Sequence, residues 1–176
     1  MTRYAALLRA VNVAGRRMRM ADLRSLLSGL GYEAVATLLQ SGNAVFTAPE
    51  QPEERVAADI ERRVAEEFGL RVTVVVRTAA DLARAVDALP FPERDPARCA
   101  VVFPAGPLDR ERLASVRPEA FAPEELAVGQ RELYLYLPDG LGRARLPRLL
   151  ERRLAVACTV RNWSTTVRLR RLAEEG

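Results

Sequence analysis

The sequence contains no lysine and no histidine. A Ser-His-Asp triad, a lysine Schiff base and a phosphate-gripping Walker lysine each need a side chain that is missing here. Acid–base chemistry would fall to Asp, Glu, Tyr, Cys or water. Cysteine is scarce as well. Cys99 and Cys158 stand far apart, each in an apolar strand-like run, and read as buried structural thiols. No Cys/His set has ligand spacing, so no metal site and no cofactor are expected. Long apolar runs are also absent. None reaches the ~20 residues that a membrane span needs. Tyr4 to Leu8 is interrupted at once by Arg9, too early for a signal peptide, and no cleavage pattern follows. The expectation is a cytoplasmic protein with no membrane partner.

What is present suits a folded α+β chain. With 176 residues, 49% of them hydrophobic, folding buries roughly 70% of the unfolded surface and needs no disulfide or metal staple. All 27 basic residues are arginine, against 23 acidic ones, for a net charge of +4. This basicity reads as dispersed. It predicts at most weak, salt-sensitive, sequence-independent contact with nucleic acid.

The stretch Leu39-Gln40-Ser41-Gly42-Asn43-Ala44-Val45 organises the first half. Strand-like runs flank it, Ala34 to Leu39 and Ala44 to Ala48. Gly42 and Asn43 accept positive φ, so a hairpin with Gln40, Ser41 and Asn43 at its tip is predicted. Before it, Arg3 to Val11 is apolar on both faces, as a central strand is. Met20, Leu23, Leu26, Leu27 and Leu30 follow helical spacing, ended by Gly31. After it, Pro52 opens a helix with Val56, Ile60, Val64 and Phe68 on one face and Gly69 at its end. Val72 to Arg77 closes a βαββαβ order.

Thr78 to Asp81 resembles a capping box and opens a helix carrying Leu82, Val86 and Leu89. Pro90, Pro92 and Pro96 mark a linker. The order then repeats: strand Arg98 to Phe103, helix Leu108 to Val116, strands Glu125 to Val128 and Arg131 to Leu137 joined at Gly129-Gln130, helix Leu146 to Leu154, and strand Val156 to Val160. A last helix is capped by Ser164. The fold class predicted is α+β, two ferredoxin-like (βαββαβ) subdomains with extra connecting and C-terminal helices. The boundaries are 1–77, 78–97 and 98–176.

In such a unit the first strand lies antiparallel to the third. The end of strand one then shares a sheet edge with the hairpin tip. That groups Arg9, Asn12 and Gly15 with Gln40, Ser41 and Asn43: one cation, several neutral donors and two loop glycines, a set suited to an anion. The structural alternative is an internal network in which these side chains satisfy loop backbone. By the same argument Tyr136 to Arg143 lies near Arg161, Asn162 and Trp163, where the indole would stack a base or sugar, or else pack the last helix. Arg143 and Arg145 read as solvated charges.

Four ordered motifs carry a family resemblance: Arg9-Ala10-Val11-Asn12-Val13, Gln40-Ser41-Gly42-Asn43-Ala44-Val45-Phe46, Tyr136-Leu137-Pro138-Asp139-Gly140 and Thr159-Val160-Arg161-Asn162-Trp163. Together they resemble an uncharacterised bacterial family, the domain of unknown function 1697. The resemblance implies a two-subdomain α+β fold and no established activity, cofactor or catalytic residue. The chain departs from the family pattern at Ala10 and Ala14, which replace glycines, and at Ala144-Arg145, where the family often has Ser-Lys.

Three functions fit these observations. One is binding, with or without turnover, of a small anionic or phosphorylated ligand at the loops 9–15 and 40–43, with 161–163 as a further contributor. The second is an RNA-binding module, since RNA-recognition domains share the βαββαβ order; yet no aromatic set beyond Phe46 suits an open base-stacking face. The third is a protein-interaction scaffold without a ligand.

Overall fold

The structure is a computed structural model that describes residues 1–9, 18–38 and 42–175. The chain divides into two compact units, Met1–Ala83 with Arg168–Gly176, and Arg84–Val167.

The first unit contains β1 (Thr2–Arg9), α1 (Met20–Gly29), β2 (Glu33–Leu38), β3 (Asn43–Ala48), α2 (Glu53–Phe68) and β4 (Thr73–Thr78). Its four strands pair antiparallel in the order β2-β3-β1-β4. β1 is therefore interior, and Tyr4 to Leu8 are at most 1% exposed. Tyr4, Ala6 and Leu8 alternate onto one face. There they join Phe46, Val74 and Val76 and the apolar stripes of α1 (Leu23, Leu26, Leu27) and α2 (Val56, Ile60, Val64). The other face, with Ala5, Leu7, Val45 and Val75, is buried too. Tyr4 also ties down the β3–α2 connection: its hydroxyl donates to Gln51 O at 2.9 Å and accepts from Gln51 N–H at 3.1 Å.

Helix ends follow local chemistry. Gly31 takes φ +82° after α1. Its N–H donates to Ser28 O and that of Tyr32 to Leu27 O, the paired bonds that close a helix through a left-handed residue. The edge strand β4 is protected by α2. Glu61 accepts from Val74 N–H at 2.8 Å and Glu53 from Thr78 N–H at 3.2 Å, so these donors are not left as a template for a foreign strand.

α3 (Ala79–Asp87) starts as predicted, with Thr78 Oγ1 accepting from Asp81 N–H at 3.1 Å. It ends two residues short of Leu89. The second unit continues with β5 (Cys99–Pro104), α4 (Arg110–Ala114), β6 (Glu125–Val128), β7 (Leu133–Tyr136), α5 (Leu146–Arg153) and β8 (Cys158–Asn162), and α6 (Trp163–Glu174) follows. Short 3-10 turns lie at Pro96–Arg98, Pro118–Phe121 and Leu141–Arg143. The sheet order is β6-β7-β5-β8, all antiparallel. Its core sets Ala100, Val102, Leu133 and Leu135 against Leu113, Leu146 and Leu150.

Three local expectations are corrected. The β6–β7 turn is not Gly129-Gln130 but the four residues 129–132: Val128 pairs with Leu133, and Gly129 N–H donates to Glu132 O at 2.8 Å. The last strand is Cys158–Asn162, not Val156 to Val160. Its partner β5 ends at Pro104, opposite Cys158, and one further bond, from Ala105 N–H to Ala157 O at 2.8 Å, closes the pairing. The cap of α6 is Asn162, not Ser164, because Asn162 Oδ1 accepts from Thr165 N–H at 2.8 Å.

Candidate functional site

The first cluster starts from strand register. Leu7 lies opposite Asn43 across the β1–β3 ladder, and Leu8 N–H donates to Gly42 O at 2.7 Å. The end of β1 therefore lies beside the start of β3. Arg9, the last residue of β1, pairs with Thr73 on the other side and is half-buried. Gly42 has φ +77°, the left-handed turn position the sequence anticipated. Asn12, Gly15, Gln40 and Ser41 lie outside the described residues.

Asn43 does not belong at an exposed tip. It is fully buried, paired with Leu7 on one side and Leu38 on the other, and its Nδ2 donates to Leu38 O at 3.0 Å. A residue between two strands has its amide consumed by the sheet. Its role is to hold the hairpin, which corrects the expectation of an outward donor.

The second cluster is set by the same kind of register. Cys99 of β5 faces Tyr136 and the next residue, Ala100, faces Asn162. β7 and β8 thus end at one edge, two strand spacings or roughly 10 Å apart. The side chains there serve the fold. Arg161 is 9% exposed; its Nη1 donates to Thr159 Oγ1 at 2.6 Å and to Val160 O at 3.0 Å. Burial pushes its guanidinium down to about 10, so it is still charged at neutral pH. Asn162 is the helix cap. Trp163 is the first residue of α6 and half-buried. Cys99 is buried, and its thiol is held above the ordinary range, first by desolvation and then by Asp95 and Glu125; such a thiol is a poor nucleophile.

A groove in the second unit was not apparent from sequence. It encloses about 580 Å³ and is walled by Phe91, Tyr136, Pro118, Pro123 and Pro138. Arg94 lies over the Tyr136 ring, 4.8 Å from its centroid, and pairs with Glu125. That ion pair neutralises the groove's cation, so this concavity offers rings and prolines rather than an anion site. Only the chain fold brings Arg94, Glu125 and Tyr136 together, and no spacing rule connects them.

Base stacking finds no platform on the first sheet. Phe46 is fully buried and stacks on Tyr32 with centroids 4.6 Å apart and planes 6° from parallel. Among the described residues no group of His, Cys, Asp and Glu could hold a metal ion, and no helix is long and apolar enough to cross a membrane.

Among the described residues, two four-stranded antiparallel sheets and six helices define an α+β protein with a half-buried arginine at the end of β1. The chain belongs to the family described as Protein of unknown function (DUF1697), whose pattern matches residues 1–134. The motifs at Arg9 and Gln40 fall within that span; those at Tyr136 and Thr159 lie beyond it. A solved structure, that of the conserved bacterial protein SP0830 from Streptococcus pneumoniae, is similar with a TM-score of 0.77 at 24% identity, covering 98% of each chain. No curated protein matches.

Proposed function

We propose that this chain binds a small anionic or phosphorylated ligand at the end of the first sheet. Arg9 supplies the charge, and Asn12, Gly15, Gln40 and Ser41 supply neutral donors from the two adjoining loops. The observation that carries this reading is the register of β1 on β3, with Leu8 N–H on Gly42 O at 2.7 Å. It puts the end of β1, with Arg9, beside the start of β3. Glycine-containing loops present backbone N–H groups that suit phosphate or carboxylate, and a guanidinium adds a charge-assisted bond. Each sheet with its helices is read as a ferredoxin-like unit. The strand orders β2-β3-β1-β4 and β6-β7-β5-β8 support that reading.

Native mass spectrometry of protein purified from its own host should reveal a retained anionic mass. Titration with inorganic phosphate provides the quantitative arm. Arg9→Ala should weaken phosphate binding by at least tenfold, consistent with about 1.5–3 kcal/mol for a lost charged hydrogen bond, with an unchanged circular dichroism spectrum. Ser41→Ala should weaken it less. Unchanged affinity in Arg9→Ala, or unfolding of Arg9→Ala with no effect of Ser41→Ala, would assign these residues to a structural network instead.

A further inference from the structure

Residues 143–153 carry five arginines and one glutamate, a local balance of +4. The folded chain gives this excess a shape. Arg145 is the N-cap residue of α5; Arg148 and Arg152 follow it at i+3 and i+7, which puts all three on one helix face over a length of about 10 Å. Arg143 joins them from the preceding turn. These four exposed arginines and Phe121 line a groove of about 560 Å³.

The neighbouring acid offsets only one charge of the row. Glu124 is committed to the start of α5, where its carboxylate accepts from Arg145 N–H at 2.9 Å and Leu146 N–H at 2.8 Å. It also faces the Arg145 guanidinium at 3.7 Å. Arg145 lies 5.2 Å from the centre of the Phe121 ring, which holds one end of the row against a flat surface. Among the described residues no carboxylate pairs with Arg143, Arg148 or Arg152.

We propose that this groove binds a condensed phosphate, a ligand with two or more linked phosphoryl groups. Guanidinium forks match phosphate oxygens two at a time. A row about 10 Å long exceeds what one phosphate can engage, and linked phosphates present charge along such a row. The groove lies in the size range of small-ligand sites. A nucleic-acid strand would bring the same charges, but the ring face of Phe121 that a base would need is covered by Arg145.

The site is separate from that proposed at Arg9, and one titration separates the two. Tripolyphosphate should bind the wild-type protein at physiological salt, and the R148S/R152S double variant should bind it at least tenfold more weakly with an unchanged melting temperature. R148S/R152S should keep the wild-type affinity for orthophosphate, which is assigned to the Arg9 site. R148K/R152K, which keeps the charge and loses the fork, should fall in between. Equal affinity of wild type and R148S/R152S would overturn the proposal. So would loss of orthophosphate and tripolyphosphate affinity by the same factor in R148S/R152S, which would show counterion attraction only. A single-stranded RNA decamer that binds more tightly than tripolyphosphate through the same arginines would replace it with a nucleic-acid surface.

Discussion

Arg77 of β4 and Arg161 of β8 occupy matching places in the two sheets. Each is the last residue but one of its sheet's fourth strand. Each is buried, 3% and 9% exposed. Each donates from Nη1 to the carbonyl of the preceding residue, Val76 O at 2.8 Å and Val160 O at 3.0 Å. Each is followed by a residue that caps the next helix, Thr78 and Asn162. The surroundings differ. Arg77 lies 3.9 Å from the carboxylate of Glu53, while Arg161 rests on the hydroxyl of Thr159. The repeat is one of structure, a buried strand-end cation that precedes a cap.

Thr159→Val should destabilise the protein by about 1.5–3 kcal/mol, because it removes an acceptor from a buried charge. Arg161→Met, which removes the charge itself at similar volume, should cost less than Thr159→Val. Urea unfolding of both variants tests the contrast. A larger loss for Arg161→Met than for Thr159→Val would show that the cation is needed for more than filling the sheet.

Asn162→Ala should lower stability by about 1 kcal/mol through loss of the α6 cap, and Thr78→Ala should do the same at α3. Neither should alter phosphate binding. Thermal melts and the phosphate titration described above measure both properties on one sample. A binding defect in Asn162→Ala without a shift in melting temperature would return Asn162 to a ligand site.

Tyr134 predicts an alkaline signature. Its hydroxyl donates to Ala85 O at 2.7 Å within the second unit, and its pKa is pushed up to about 12, first by desolvation and then by Glu132. The neutral phenol is thus favoured in the folded state. Above pH 10 the unfolded chain loses this proton first, so stability falls as pH rises from 10 towards 12. The loss at pH 11 is on the order of 1 kcal/mol relative to pH 8. Tyr134→Phe should cost about 1–2 kcal/mol at pH 7 for the orphaned carbonyl and should remove this extra alkaline loss. Parallel pH dependence in wild type and variant would refute the assignment.

Much of the architecture could be read from residue spacing. Val56, Ile60 and Val64 mark the buried face of α2, and the two apolar faces of Tyr4 to Leu8 mark β1 as interior. Glycines 31 and 42 adopt the positive φ anticipated for them. These features are local: period, propensity and φ preference act within a few residues and need no partner.

The roles of polar side chains were decided elsewhere. Asn43 looks like a turn residue in sequence, and only the strands on both sides of it convert its amide into a buried hairpin clamp. Asn162 looks like part of a binding motif, and only its position one residue before α6 makes it a cap. β8 starts at Cys158, opposite Pro104 at the end of β5, two residues beyond where β propensity alone starts it. Charge shows the same division. A count over the whole chain reads +4 as dispersed, and the arginines of 143–153 become a row only when α5 aligns 145, 148 and 152. Residue type and spacing determine which elements form and which faces they bury. What a hydrogen-bonding or charged group does depends on the neighbour that long-range pairing puts beside it, and no local pattern encodes that neighbour.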